Sequence, residues 1–152
     1  MIDKEVIHVL SRAVVIDVEH ILLCKMLKDD QYIYFLPGGH VDNGESAKSA
    51  LKREILEEAG VDSCNITRFL GCFECHPSDI FCHNHEYSLI FEVESTALKF
   101  NNPIPKLEEH IELVWIPIKE INNIDFRPKS LRSVMFEWLK DDLNKAFGYV
   151  VN

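Results

Sequence analysis

Residues 38–61 read GGHVDNGESAKSALKREILEEAGV, and this segment constrains the chain more than any other. Its second half predicts a helix over residues 46–59, ended by Gly60, a residue suited to the left-handed position just past a helix. At about 100° per residue, Glu54, Glu57 and Glu58 fall within an arc of roughly 100°. Ala47 and Ala50 share that arc and Leu51 lies just beyond it, so the acidic side is not simply the solvated face opposite an apolar stripe. Glutamates three and four residues apart repel. At a separation of about 6 Å and an effective dielectric near 20, each pair costs roughly 3 kcal/mol before screening. One offset is a solvated face neutralised by Lys48, Lys52 and Arg53. The preceding loop offers another. Gly38 and Gly39 permit close backbone approach, Gly44 allows a second turn, and Glu45 stands where the loop enters the helix. Carboxylates from one helix with a backbone oxygen from a glycine turn make a hard oxygen site suited to Mg²⁺ or Mn²⁺. The cation would supply the missing counter-charge.

With 152 residues, 47% of them hydrophobic, the chain is long enough for a real core, and a single domain over residues 1–152 is expected. No apolar run reaches membrane-spanning length, and the opening MIDKEVIHVL lacks a basic region followed by an apolar stretch. A soluble cytoplasmic protein is the expectation. Five scattered cysteines, an odd number, fit reduced thiols better than a disulfide framework. The formal charge of −9 disfavours unaided binding to nucleic acid or to an anionic membrane surface. A phosphorylated small molecule remains compatible, provided divalent cations bridge the like charges.

Residues 6–16 and 21–27 are rich in β-branched and aliphatic side chains around the polar DVEH, which reads as a hairpin. A short strand is expected at 32–36, two more at 65–75 and 86–97 around the loop HPSDIFCHNH, and another at 111–118 followed by a turn at 119–122. From Pro128, a good first helical residue, Leu131, Val134, Met135, Trp138, Leu139 and Leu143 form one apolar face that predicts a helix to about Lys145. Strands mixed with two main helices imply a sheet covered on both sides.

Gly39, five residues, Glu45, seven residues, Arg53-Glu54-Ile55, one residue, Glu57-Glu58, one residue and Gly60-Val61 together match every fixed position of the Nudix box, and the chain resembles the Nudix hydrolase family. FLPGG at residues 35–39 and EEHIELVWIPIKEI at 108–121 extend the resemblance to most of the chain. It implies an α/β/α sandwich with a mixed β-sheet and the box as a loop–helix–loop. It also implies Mg²⁺- or Mn²⁺-dependent hydrolysis of a nucleoside diphosphate linked to another group. The implied roles carry over by position. Glu57 and Glu58 match principal metal ligands, Glu54 a further ligand or the general base, and a carbonyl of Gly38 the backbone ligand. Gly39, Glu45 and Arg53 match supporting positions, with the planar fork of Arg53 holding carboxylates in place. Glu109, six residues before Trp115, matches a downstream acid that reaches the metals; its neighbour Glu108 and Glu86 are the other candidates for a base outside the box. A homodimer is compatible with the resemblance.

Lys25, at the end of ILLC, and Arg12, in the first strand, are candidates for contact with substrate phosphate; Phe35 is expected in the core. His76, Pro77, Asp79, His83 and His85 fall where the resemblance places substrate selectors. A proline about fifteen residues past the box goes with ADP-ribose hydrolases in this family. Here that position is His76, with Pro77 one further on, and no SQPWPFPxS-type element of the NADH hydrolases is present. The substrate expected is therefore a small nucleotide: a nucleoside triphosphate, a nucleotide sugar or an ADP-ribose-like molecule. Cys72, Cys75, Cys82 and His85 superficially resemble a zinc site, but residues three apart in a strand point to opposite faces, which favours metal-free thiols. Two rival functions stand beside hydrolysis. One is a non-hydrolytic nucleotide-binding domain, which would usually lack box glutamates. The other is an isoprenoid-diphosphate isomerase, which would pair Cys72 or Cys75 with Glu86 or Glu109 across a carbon substrate.

Overall fold

Alternation along the first strand sets the architecture. The computed structural model describes residues 6–75 and 85–140, and the backbone of 147–149. In β1 (His8–Val14) and the residue after it, Val14 points to one side of the sheet while Ala13 and Val15 point to the other. Further on, Ile21 and Leu23 oppose Leu22, and Ile90 opposes Phe91 and Val93. Two cores result, one on each face. Helix α1 (Ala47–Ala59) closes one core with Leu51, Ile55 and Ala59; α2 (Leu131–Lys140) closes the other with Leu131, Met135 and Trp138. This is the expected α/β/α sandwich. No helix among the described residues is long and apolar enough to cross a membrane.

The remaining strands are β2 (Ile16–Asp17), β3 (His20–Lys28), β4 (Gln31–Phe35), β5 (Gly38–His40), β6 (Asn65–Cys75), β7 (Glu86–Glu94), β8 (Glu112–Pro117) and β9 (Phe147–Tyr149). One sheet has the order β5-β1-β7-β6-β9 and is mixed, because β1 runs parallel to β7 and β6 parallel to β9. The other is antiparallel, with β3 pairing β2, β4 and β8. The expected hairpin of 6–16 with 21–27 is therefore wrong in most of its length. Only Ile16 and Asp17 fold back on β3, while β1 pairs with β5 and β7 in the other sheet. The strand expected to run from 86 stops at Glu94, where the Ser95 side chain turns the chain by donating to the Ser63 carbonyl and accepting from the Ala97 amide. The last helix starts at Leu131 rather than Pro128, and its expected extension over 141–145 lies outside the described residues.

The turn between β2 and β3 carries a local conflict. Val18 and Glu19 both have positive φ, 47° and 57°, in a two-residue hairpin loop that favours Asn-Gly. A β-branched residue rarely adopts that region. Replacing Val18 by Asn together with Glu19 by Gly is expected to raise the melting temperature by about 2–4 °C, as roughly 1 kcal/mol would in a chain of this size. An unchanged or lower melting temperature by calorimetry would show that the turn stores no strain.

Candidate active site

The glycine pair that opens the box is fixed by its neighbours. Gly38 has φ 130°, and a Cβ on it would overlap the Ser11 carbonyl oxygen. A Cβ on Gly39 would overlap the Glu54 carboxyl group. Helix α1 begins where Ser46 caps it, its Oγ accepting from the Ser49 amide at 3.1 Å, and it ends at Gly60 with φ 69°. These local signals bring the box glutamates back against the β5 glycines.

Arg53 answers part of the electrostatic question. Its Nε and Nη2 donate to the two carboxylate oxygens of Glu45, each at 3.0 Å. Nη1 donates to Glu54 at 2.9 Å, and Nη2 also donates to the His40 carbonyl at 3.0 Å. Glu57 lies 3.5 Å from Nη1, and Asp42 3.6 Å from Nη2. One guanidinium is thus shared by Glu45, Glu54 and Glu57 and offsets part of their charge, and its hydrogen bonds hold the Glu45 carboxyl below the usual carboxylate range.

Glu58 stands apart from this network. It is buried at 6% exposure, and its Oε2 accepts from the Gly38 amide at 3.1 Å. Burial pushes its pKa up to about 8, against the pull of Arg12 and the Gly38 N–H; the charges of Glu54 and Glu108 push the same way as burial. The Cys24 thiol, also buried, is in hydrogen-bonding contact with it and is raised well above its ordinary range. Arg12 holds the loop from the other side: its Nη1 donates to the Leu36 and Gly38 carbonyls, both at 3.0 Å, and its guanidinium lies 5.6 Å from the Phe35 ring centre. Phe35 is in the core as expected, at 6% exposure.

The remaining candidates divide. Lys25 lies 4.0 Å from Glu112 and 4.2 Å above the Tyr32 ring, in a groove of about 380 Å³ that Lys106, Glu109 and His110 also line. Glu109 is exposed there, 3.9 Å from His110. Of the adjacent pair it is Glu108 whose charge reaches Glu58 and Cys24. Glu86 is buried at the start of β7. Cys72 and Cys75 take opposite faces of β6, and His85 Nε2 is 2.8 Å from Glu74 instead; Cys82, like His76, Pro77, Asp79 and His83, lies outside the described residues. Cys75 and Glu86 are register partners on β6 and β7, and both side chains are buried. Among the described residues no three His, Cys, Asp or Glu side chains are already gathered as a metal cage. Sequence reasoning missed the grip of Arg12 on Gly38 and the place of Cys24 beside Glu58. A cation inside the aliphatic run LSRAVV was a signal that it needed buried acceptors.

An α/β/α sandwich with a glycine turn packed against an acidic helix has counterparts among known proteins. The NUDIX domain family matches residues 7–140, and the chain belongs to that family. A Bacillus subtilis (strain 168) protein named "Putative 8-oxo-dGTP diphosphatase" is 51% identical over 45 residues, which are 30% of this chain and 29% of that protein. The match thus spans less than a third of that relative. The MutT protein of Methanosarcina mazei Go1 superposes with a TM-score of 0.69 at 18% identity, covering 91% of this chain and 96% of that one. The E. coli ORF135 protein gives 0.67 at 20% identity, covering 91% and 94%. A NUDIX hydrolase from Nitrosomonas europaea gives 0.69 at 23% identity, covering 88% of each. These similarities establish the fold.

Proposed function

We propose that the chain is a divalent-metal-dependent pyrophosphohydrolase acting in the cytoplasm on a nucleoside diphosphate linked to another group. The observation that carries this reading is the complete box folded as one unit, with Glu54 packed on Gly39 and Glu58 on Gly38. The donor chemistry fits Mg²⁺ or Mn²⁺, since Glu54, Glu57, Glu58 and the Gly38 carbonyl offer only hard oxygens. Those groups would hold the metal, which when bound neutralises the pyrophosphate oxygens that otherwise repel a nucleophile. Glu57, half-exposed and 3.5 Å from Arg53, is free to turn toward a cation without breaking packing. A carboxylate beside the attacking water takes its proton. Glu54, fixed by Arg53, is the base candidate inside the box; Glu108, whose charge reaches Glu58, precedes Glu109 among those outside it. Lys25 lies along the groove where substrate phosphates would approach, and Arg12 shapes the Gly38 loop.

The substrate class proposed is a nucleoside triphosphate, and the name of the Bacillus subtilis relative makes 8-oxo-dGTP a member to assay first; nucleotide sugars and ADP-ribose-like molecules complete the panel. Phosphate and pyrophosphate release over that panel is expected to vanish in excess chelator and to return with Mg²⁺ or Mn²⁺. Full turnover in chelator would sink the assignment.

A further inference from the structure

We propose that Glu86, on the sheet face it shares with His8, His40 and Arg12, reads the nucleobase of the substrate and selects guanine. This deepens the pyrophosphohydrolase reading and rests on it for where the phosphates lie.

The parallel register of β1 and β7 sets His8 opposite Glu86 and Leu10 opposite Ser88, while the antiparallel register of β1 and β5 sets Leu10 opposite His40 and Arg12 opposite Gly38. Register partners share a face. His8, Arg12, His40, Glu86 and Ser88 therefore share one side of the sheet around buried Leu10, and Ile90 and Val14 continue that face as apolar core. The Gly38 level, where Arg12 grips the box loop, lies four residues along β1 from the His8 and Glu86 level. At a strand rise near 3.3 Å that separation is about 13 Å. An extended nucleoside phosphate bridges such a span, with its phosphates at the box and its base at Glu86.

Glu86 is 5% exposed, and among the described residues its carboxyl group makes no hydrogen bond or ion pair. Among the described residues the sealed side-chain polar atoms without a partner are Ser11 Oγ and Trp115 Nε1, so the Glu86 oxygens keep a trace of solvent contact. A ligand that donates to them replaces that water and gives a nearly buried carboxyl group the partner it lacks. Burial pushes its pKa up, while Arg12 and His8 pull it down, so two basic neighbours favour the ionised form once donors arrive. His8, the register partner of Glu86, and His40, whose Nε2 lies 3.2 Å from His8 Nδ1, set two flat rings on this face of the kind on which bases stack. An ionised carboxylate offers two acceptors and no donor. The guanine Watson–Crick edge presents two adjacent N–H donors. Adenine and cytosine set a donor beside an acceptor, and uracil and thymine place one N–H between two carbonyls. Guanine, and guanine oxidised at C8, which keeps the same edge, are the bases that saturate both oxygens without opposing lone pairs.

The test is equilibrium binding of GMP, AMP, CMP and UMP, with initial rates on the four triphosphates, for the parent and Glu86→Gln in Mg²⁺. The parent is expected to bind GMP at least about 10-fold more tightly than the other three, and Glu86→Gln to lose that preference. Equal binding of the four monophosphates by the parent overturns the proposal, whether or not the variant folds. A fall of similar size on all four bases in Glu86→Gln also overturns it, because a structural or general-base role would act in that way. Binding separates the two readings. A GMP preference without hydrolysis of any member of the nucleotide panel leaves the base-reading site standing and removes the hydrolase, whereas hydrolysis without base preference does the reverse.

Discussion

Arg53→Ala is expected to lower stability by about 2 kcal/mol and turnover by about 10²-fold, although Arg53 need not touch the reacting atoms. Four hydrogen bonds leave its guanidinium, two to Glu45, one to Glu54 and one to the His40 carbonyl. Its removal exposes Glu45, Glu54 and Glu57 to one another's charge and unties the loop from the helix. The side chain keeps 32% of its surface in solvent, so the four bonds count well below their sum. The effect on turnover follows from position: the Glu54 carboxyl group loses the donor that fixes it against Gly39. Arg53→Lys separates charge from shape. A lysine restores the charge but cannot bridge both Glu45 oxygens, Glu54 and a carbonyl at once. Thermal melts and initial rates should place it between the alanine variant and the parent. A lysine variant equal to the parent in both would show that charge alone suffices and that the fork has no positioning role.

The box was legible because its signals are local. A Ser cap, a left-handed Gly60 and the 3.6-residue period fix α1 almost to the residue, with Ser46 outside the helix as its cap. Sheet pairing was not legible. Residues 6–16 read as one β-rich segment without a break, and alternation says which face a side chain takes but not which strand lies beside it, so the crossing between sheets at Val15 left no mark. Strand β5 was invisible for a different reason: two of its three residues are glycines, and it pairs because β1 and the box loop place it there. Counting back from Trp115 chose Glu109, yet the loop before β8 has no period to count by, and it is Glu108 whose charge reaches Glu58. The largest revision concerns the glutamates themselves. Sequence spacing treats Glu54, Glu57 and Glu58 as one repelling group needing one cation. Burial divides them: Glu54 and half-exposed Glu57 share the charge of Arg53, while of the three only Glu58 sits in a dry place that disfavours its ionised form.

That division leads to the second large effect, the pH dependence of Glu58 in metal-free protein. Its carboxyl faces Arg12 from β1, the Gly38 amide from β5, Cys24 from β3, Glu54 from its own helix and Glu108 from the loop before β8. Its pKa is about 8 when folded against 4.5 for an ordinary glutamate, so between those pH values the native state holds a proton that the unfolded chain has released. Stability therefore falls as pH rises through this window and levels off above about 8. At 1.36 kcal/mol per unit the full loss is on the order of 4–5 kcal/mol. Glu86, also raised, adds to the slope; His40, lowered, opposes it below its ordinary pKa, because the unfolded imidazole takes up a proton that the native one resists. The difference between parent and Glu58→Gln isolates the one group. The amide of that variant keeps an acceptor for the Gly38 N–H and has no charge to bury. In chelator the two proteins should be similarly stable near pH 5, with Glu58→Gln ahead by several kcal/mol at pH 8, as read from denaturant midpoints. Added Mg²⁺ should reverse the ranking at pH 8, because a bound cation stabilises the carboxylate form and the amide offers it no charge. Parallel pH curves in chelator would mean that Glu58 ionises as an ordinary surface acid. In that case the cost of the acidic cluster would rest on Arg53 alone, and the box would need no metal to be at ease.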